Sequence, residues 1–198
     1  FSVLAAFAVL LVALLIFLGG WLGNYEKAQP ETIVNGIIEN YINKNNVYGI
    51  QDIVPLDISG YETADTVNSV ISNAISGKTL VASSSASRIE NCDVAYTVKA
   101  DDQKILNVYF KKTEGSSDML AKYEVIKVAL DDAFYKSATI TLPENAAVKV
   151  NGIELKAQDL KTAELPNIPE KYKPQNVSGS RYAVLSNLLS NDISVTAT

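Results

Sequence analysis

The 198-residue sequence contains no histidine and one cysteine, Cys92. Without imidazole there is no Ser-His-Asp or Cys-His nucleophilic site, no histidine-ligated zinc and no use of the commonest general base. A single thiol forms neither an internal disulfide nor a thiolate metal cluster. The ten glycines fall in no G-x-x-x-x-G-K-[ST] or G-x-G-x-x-G frame, so no phosphate-cradling loop is encoded. Positive charge is short as well: 17 Lys and Arg face 22 Asp and Glu, for a formal charge of −5 and a pI near 4.8. Nucleic acid is therefore not an expected partner, since its binding depends on clustered Lys and Arg.

Charge is missing altogether from residues 1–25, and the first charged residue is Glu26. A bilayer core needs about 20 apolar residues in a helix, and the run from Val3 to Leu22 supplies them. Trp21 and Tyr25 stand where interfacial aromatics belong. Three readings compete: a transmembrane anchor, a cleaved signal peptide and a buried helix of a soluble fold. The length of the run and the lack of an A-x-A site before Glu26 favour the anchor. Between residues 26 and 65 there are two Lys against seven Asp or Glu, a flank suited to the translocated side. The remainder is then expected to be extracytoplasmic. Because the chain starts at Phe1 and stops within a strand-like "DISVTAT", we expect a piece of a longer protein.

Periodicity predicts two helices and then strands. Ile33, Ile37, Ile38, Tyr41 and Ile42 form an apolar stripe behind Pro30, which suits a first helical turn. Val67, Val70, Ile71, Ala74 and Ile75 line the second helix; it starts at a Ser59-x-x-Glu62 capping box or at Thr63 and stops at Gly77. The serine-rich "TLVASSSASRIE" and the alternating "DVAYTVKA", "KILNVYFKKTE" and "KYEVIKVAL" then read as three or four antiparallel strands, with turns at 100–103 and 113–119. The expected class is α+β: an anchor at 1–25, helices packed on a curved sheet at 26–132, and the beginning of a β-rich module at 133–198. Within that module Val148, Val150, Ile153 and Leu155 alternate with Lys149 and Glu154 around Asn151-Gly152, the signature of a type I′ hairpin. Asn151 and Gly152 are thus structural turn residues. The Pro-Glu-Asn turn at 143–145 precedes the hairpin. The proline-rich stretch 165–180 reads as an irregular connection, and Tyr182, Val184 and Leu185 open another strand.

The remaining candidates for chemistry are few. The adjacent carboxylates Asp101-Asp102 and Asp131-Asp132 sit where turns are expected, and neighbours on a strand point to opposite faces. Ser83-Ser84-Ser85 lacks a base, and Lys111-Lys112 reads as an exposed strand end. Cys92 reads as an inert buried thiol in a strand. The "NVS" at 176–178 has the form of a glycosylation sequon only. Tyr41, Tyr96, Tyr109 and Tyr123 are the candidate lining of a cavity between helices and sheet, where an apolar ring with a polar tip grips a ligand or simply packs. No catalytic, metal or cofactor site is expected.

The membrane helix, the helix "PETIVNGIIENYINK", the strands "CDVAYTVKADDQKILNVYFKKTEG" and the later "ITLPENAAVKVNGIELK" together resemble the extracytoplasmic NTF2-like (cystatin-like) domains of Gram-positive envelope proteins, including the TcaA-related group. The resemblance implies a single-pass, non-enzymatic envelope scaffold or sensor that binds cell-wall material or another envelope protein. The alternative it leaves open is a small-ligand receptor using the NTF2-like cavity. Sheet-mediated homodimerisation is also implied, and relatives often carry a cytoplasmic zinc ribbon before the membrane helix.

Overall fold

The computed structural model describes residues 2–114, 121–142, 146–162, 181–189 and 193–197. The connection at 165–180, the "NVS" sequon, the 143–145 turn and most of the 113–119 loop lie outside them.

Residues 2–27 form one long helix, α1 (Ser2–Lys27). Its window Val9–Lys27 is long and apolar enough to cross a membrane, and none of it is buried in the rest of the molecule. Ile16 and Phe17 are 72% and 69% exposed. A soluble core helix buries such residues, so this one has its apolar surface free for lipid.

The folded part begins two residues later with α2 (Pro30–Ile37), Pro30 occupying its first turn as expected. The helix does not stop at Gly36 but widens into a π-helical turn, Ile38–Ile42. Val34, Ile37, Ile38 and Ile42 are buried. A 3₁₀ turn (Val47–Asp52) and an extended segment lead to α3 (Ala64–Ile75). Thr63 caps α3, its hydroxyl accepting from Thr66 N–H at 3.3 Å. Glu62 is therefore not part of a capping box; its carboxylate is turned elsewhere, as described below. Gly77, at φ +70°, supplies the left-handed residue that ends the helix.

Four antiparallel strands follow in sequential order, β1 (Leu80–Ser85), β2 (Val94–Ala100), β3 (Gln103–Lys112) and β4 (Tyr123–Leu130). One face carries Val98, Leu106, Val108, Phe110, Val128 and Leu130 into a core shared with α2, the π-turn and α3. Bulges opposite Val98/Lys99 and Tyr109/Phe110 shift the register locally and increase the twist of the sheet.

After a 3₁₀ turn at Asp132–Phe134 come two smaller sheets: β5 (Lys136–Leu142), β9 (Arg181–Leu188) and β8 (Leu160–Thr162) in the order β5-β9-β8, and β6 (Val148–Val150), β7 (Ile153–Glu154) and β10 (Val195–Ala197) in the order β10-β6-β7. The hairpin forms in the register its alternation dictates, with Val150 opposite Ile153 and Lys149 opposite Glu154. Asn151 and Gly152 have φ of +51° and +80°, as a type I′ turn requires. Val148, Val150, Leu155, Ala183, Leu185 and Leu188 make a second core.

The two cores exchange residues. Tyr61, from the segment before α3, lies in the second core, and Leu189, from the end of β9, lies in the first. Gly152→Val places a β-branched residue at positive φ and should cost about 1–2 kcal/mol. Hydrogen exchange should show amides of β2–β3 and of β6–β9 losing protection together, because Tyr61 and Leu189 tie the cores. Loss confined to residues 133–197 would instead mark two independent units.

Candidate functional site

Residues 55–62 form a strap across the seam between the two cores. Leu56 makes a parallel bridge to Val128 at the free edge of β4. Asp57 accepts at one carboxylate oxygen from Asn187 Nδ2 (2.9 Å) and pairs through the other with Lys127 (2.7 Å). Both partners of that ion pair are 38% exposed, so water screens it and its contribution is small. Ser59 N–H donates to the Asn187 carbonyl at 2.9 Å. Asn187 holds φ of +56°, a left-handed conformation that Asn tolerates better than most residues.

Tyr61 and Glu62 complete the strap. The Tyr61 hydroxyl donates to the Asp159 carboxylate and accepts from Lys156 N–H at 3.2 Å. Its carbonyl accepts from Asn151 Nδ2 at 3.0 Å. Burial, followed by the hydrogen bond to Asp159, raises the Tyr61 pKa above the ordinary phenol value. Glu62 is 3% exposed; its Oε1 accepts from Leu189 N–H at 2.7 Å, while its Oε2 has no hydrogen-bond partner among the described residues. Asn151 does more than turn the hairpin: its backbone N–H and side-chain oxygen also bond Ser194, at 2.8 and 3.0 Å.

A cavity of about 280 Å³ opens on this seam, lined chiefly by Tyr61, Lys156, Gln158, Asp159, Ser186 and Asn187. One ammonium, one carboxylate, two amides and, with Ser59, three hydroxyls give it a balanced polar wall, suited to hydrogen-bonding a small neutral polar molecule. A second hollow of about 280 Å³ lies along Pro55, Leu56, Asp57, Ile126 and Lys127.

None of these cavity walls includes the four tyrosines singled out in the sequence. Tyr41, Tyr96 and Tyr123 pack against the first core, Tyr96 edge-on to Phe110 with ring centres 6.2 Å apart. Tyr109 stands apart from them, because strand parity pairs it with Ala95 and Lys127 on the opposite face of the sheet, where it is buried. Asp101 and Asp102 are exposed in the β2–β3 turn, where Asp101 binds Thr79 N–H at 3.1 Å. Asp131 caps the turn at Asp132–Phe134. No group of three or more Cys, Asp or Glu residues able to hold a metal occurs among the described residues. Ser83 and Ser84 are exposed on β1, and Lys111 is exposed near the end of β3. Cys92 departs from expectation: it precedes β2 and is only partly buried, with Sγ directed to the Val94 carbonyl at 3.1 Å. The strap residues Asp57, Tyr61 and Glu62 follow no period and were not legible as a site. The one available signal, Ser59-x-x-Glu62, pointed to a helix cap instead.

No family model matches the chain, and no curated protein or solved structure does either.

Tyr135 supports the strap from below, donating to the Asp57 carbonyl at 2.5 Å and accepting from Leu130 N–H at 3.0 Å. Burial pushes its pKa up to about 12; the bond from Leu130 opposes this, and the nearby Asp57 and Asp132 charges add to it. The folded value lies above the unfolded phenol value of about 10, so this contribution is whole below pH ~10 and lost as pH rises toward 12. A tyrosinate absorbance titration should therefore show a late-ionising phenol that Tyr135→Phe removes. In denaturant unfolding Tyr135→Phe should cost about 1–3 kcal/mol at neutral pH, because the partly buried Leu130 N–H loses its acceptor.

Proposed function

We propose that this chain is a single-pass, non-enzymatic membrane protein whose folded part stands outside the cytoplasmic membrane and acts as a scaffold or sensor, binding cell-wall material or another envelope protein. The observation that carries this reading is the exposed helix α1, uncharged up to Tyr25, together with its hydrogen-bonded joint to the fold. Only Ala28 and Gln29 separate α1 from α2. Gln29 Nε2 donates to the Ala121 carbonyl at 3.0 Å, and Tyr123 N–H donates to the Ala28 carbonyl at 3.1 Å. The helix end is thereby held to the start of β4, and the first core rests at the bilayer surface. Trp21 and Tyr25, stacked with ring centres 6.3 Å apart, fall at the depth of an interfacial belt. The acidic flank after Glu26 supports the outward orientation.

The helices α2 and α3 on one face of a four-stranded antiparallel sheet are in keeping with an NTF2-like assignment and with the TcaA-related envelope proteins of Gram-positive bacteria. A second reading, a receptor for a small ligand, draws on the polar seam cavity rather than on the space beneath the sheet.

Orientation is tested by moving the single thiol. In a Cys92→Ser background, Ser87→Cys sits at an exposed position after β1. Intact cells treated with a membrane-impermeant maleimide should label it; labelling only after lysis would reverse the orientation. The full chain in detergent should then co-sediment with isolated peptidoglycan. Retention in the supernatant would discard the wall-binding version and leave a protein partner.

A further inference from the structure

Between the β5-β9-β8 sheet and the β6-β7 hairpin lies a cavity of about 230 Å³, distinct from the seam. Leu142, Val148, Leu155 and Leu160 form its apolar walls, and Arg181 enters the same space. Arg181 opens β9, the central strand of its sheet, and is paired with Leu142 on one side and Thr162 on the other. One guanidinium nitrogen, Nη2, donates to the Ala146 carbonyl at 3.2 Å. The Nε–H is closed off from solvent and has no acceptor among the described residues.

A guanidinium keeps its charge at any pH a protein experiences. The Nε–H is out of a ligand's reach, but the outer edge formed by the two Nη nitrogens matches a planar pair of oxygens, the geometry of a carboxylate or a phosphate. Two features choose between them. Apart from Arg181 and Glu154 the lining side chains are aliphatic, which suits an anion carrying an apolar body. Glu154 also lines the cavity, and its negative charge disfavours a dianion. At ~30 Å³ for each water, the volume holds roughly seven to eight waters' worth of ligand, a molecule of about that many heavy atoms.

We propose that this cavity is a binding site for a small monocarboxylate with a short aliphatic body, its carboxylate held by Arg181 and its body by Leu142, Val148, Leu155 and Leu160. Such a group is presented by the free end of a short peptide and by a free short-chain acid. The site does not depend on which side of the membrane the fold occupies.

Calorimetric titration of the full chain in detergent distinguishes the sources. The probes are N-acetyl-alanine, which mimics a peptide end, butyrate, and N-acetyl-alaninamide, which lacks the carboxylate. Saturable binding of N-acetyl-alanine alone supports a peptide terminus, and binding of both acids supports a free acid. Equal binding of the amide, or no heat from either acid, overturns the site. Arg181→Lys retains the charge but loses the planar fork, and should weaken the bound acid by about tenfold or more. Leu160→Phe fills the space without touching the guanidinium and should also abolish binding. Circular dichroism and thermal melts establish that each variant is folded. A folded Arg181→Lys protein with unchanged affinity overturns the assignment.

Discussion

The buried carboxylate of Glu62 fixes the relation between the two halves of the folded part. A carboxylate this enclosed is costly unless its oxygens are hydrogen-bonded, and the donor it finds is the Leu189 N–H just beyond β9. That bond places the end of β9 beside the start of α3. Leu189 then drops into the first core, and Tyr61, the residue before Glu62, into the second. The other bonds of the strap, from Ser59, Asp57 and Tyr61 to Asn187, Asp159 and Asn151, repeat the arrangement.

Helix α1 obeys a different physics. In α1 every interior backbone group bonds within the helix, so lipid can replace water around its side chains without loss. The folded part instead closes its apolar surface by bringing distant segments together. These two regimes meet within two residues. Gln29 and Tyr123 hold the joint through a side-chain and a backbone hydrogen bond, which limits how α1 swings against the fold.

The seam cavity and the cavity of the second core differ in kind. The seam cavity has polar walls in which Lys156 and Asp159 offset each other, and its tyrosine hydroxyl is already engaged. The cavity of the second core sets one guanidinium and the Glu154 carboxylate among aliphatic side chains.

Local pattern was enough to read the apolar N-terminal helix, the amphipathic helices, the order of β1 to β4 and the Asn151-Gly152 hairpin. Each depends on neighbours a few positions apart, where period and turn chemistry act directly. Charge and the missing imidazole likewise removed whole classes of chemistry without any coordinates. The placement of Tyr109 required the register of β2, β3 and β4, since a single step along a strand exchanges one face for the other. The strap, the exchange of Tyr61 and Leu189, the pairing of β10 with β6 and the position of Arg181 belong to tertiary structure alone. They join residues as far apart as Glu62 and Leu189, and a hydrogen bond over that separation leaves no period in the sequence.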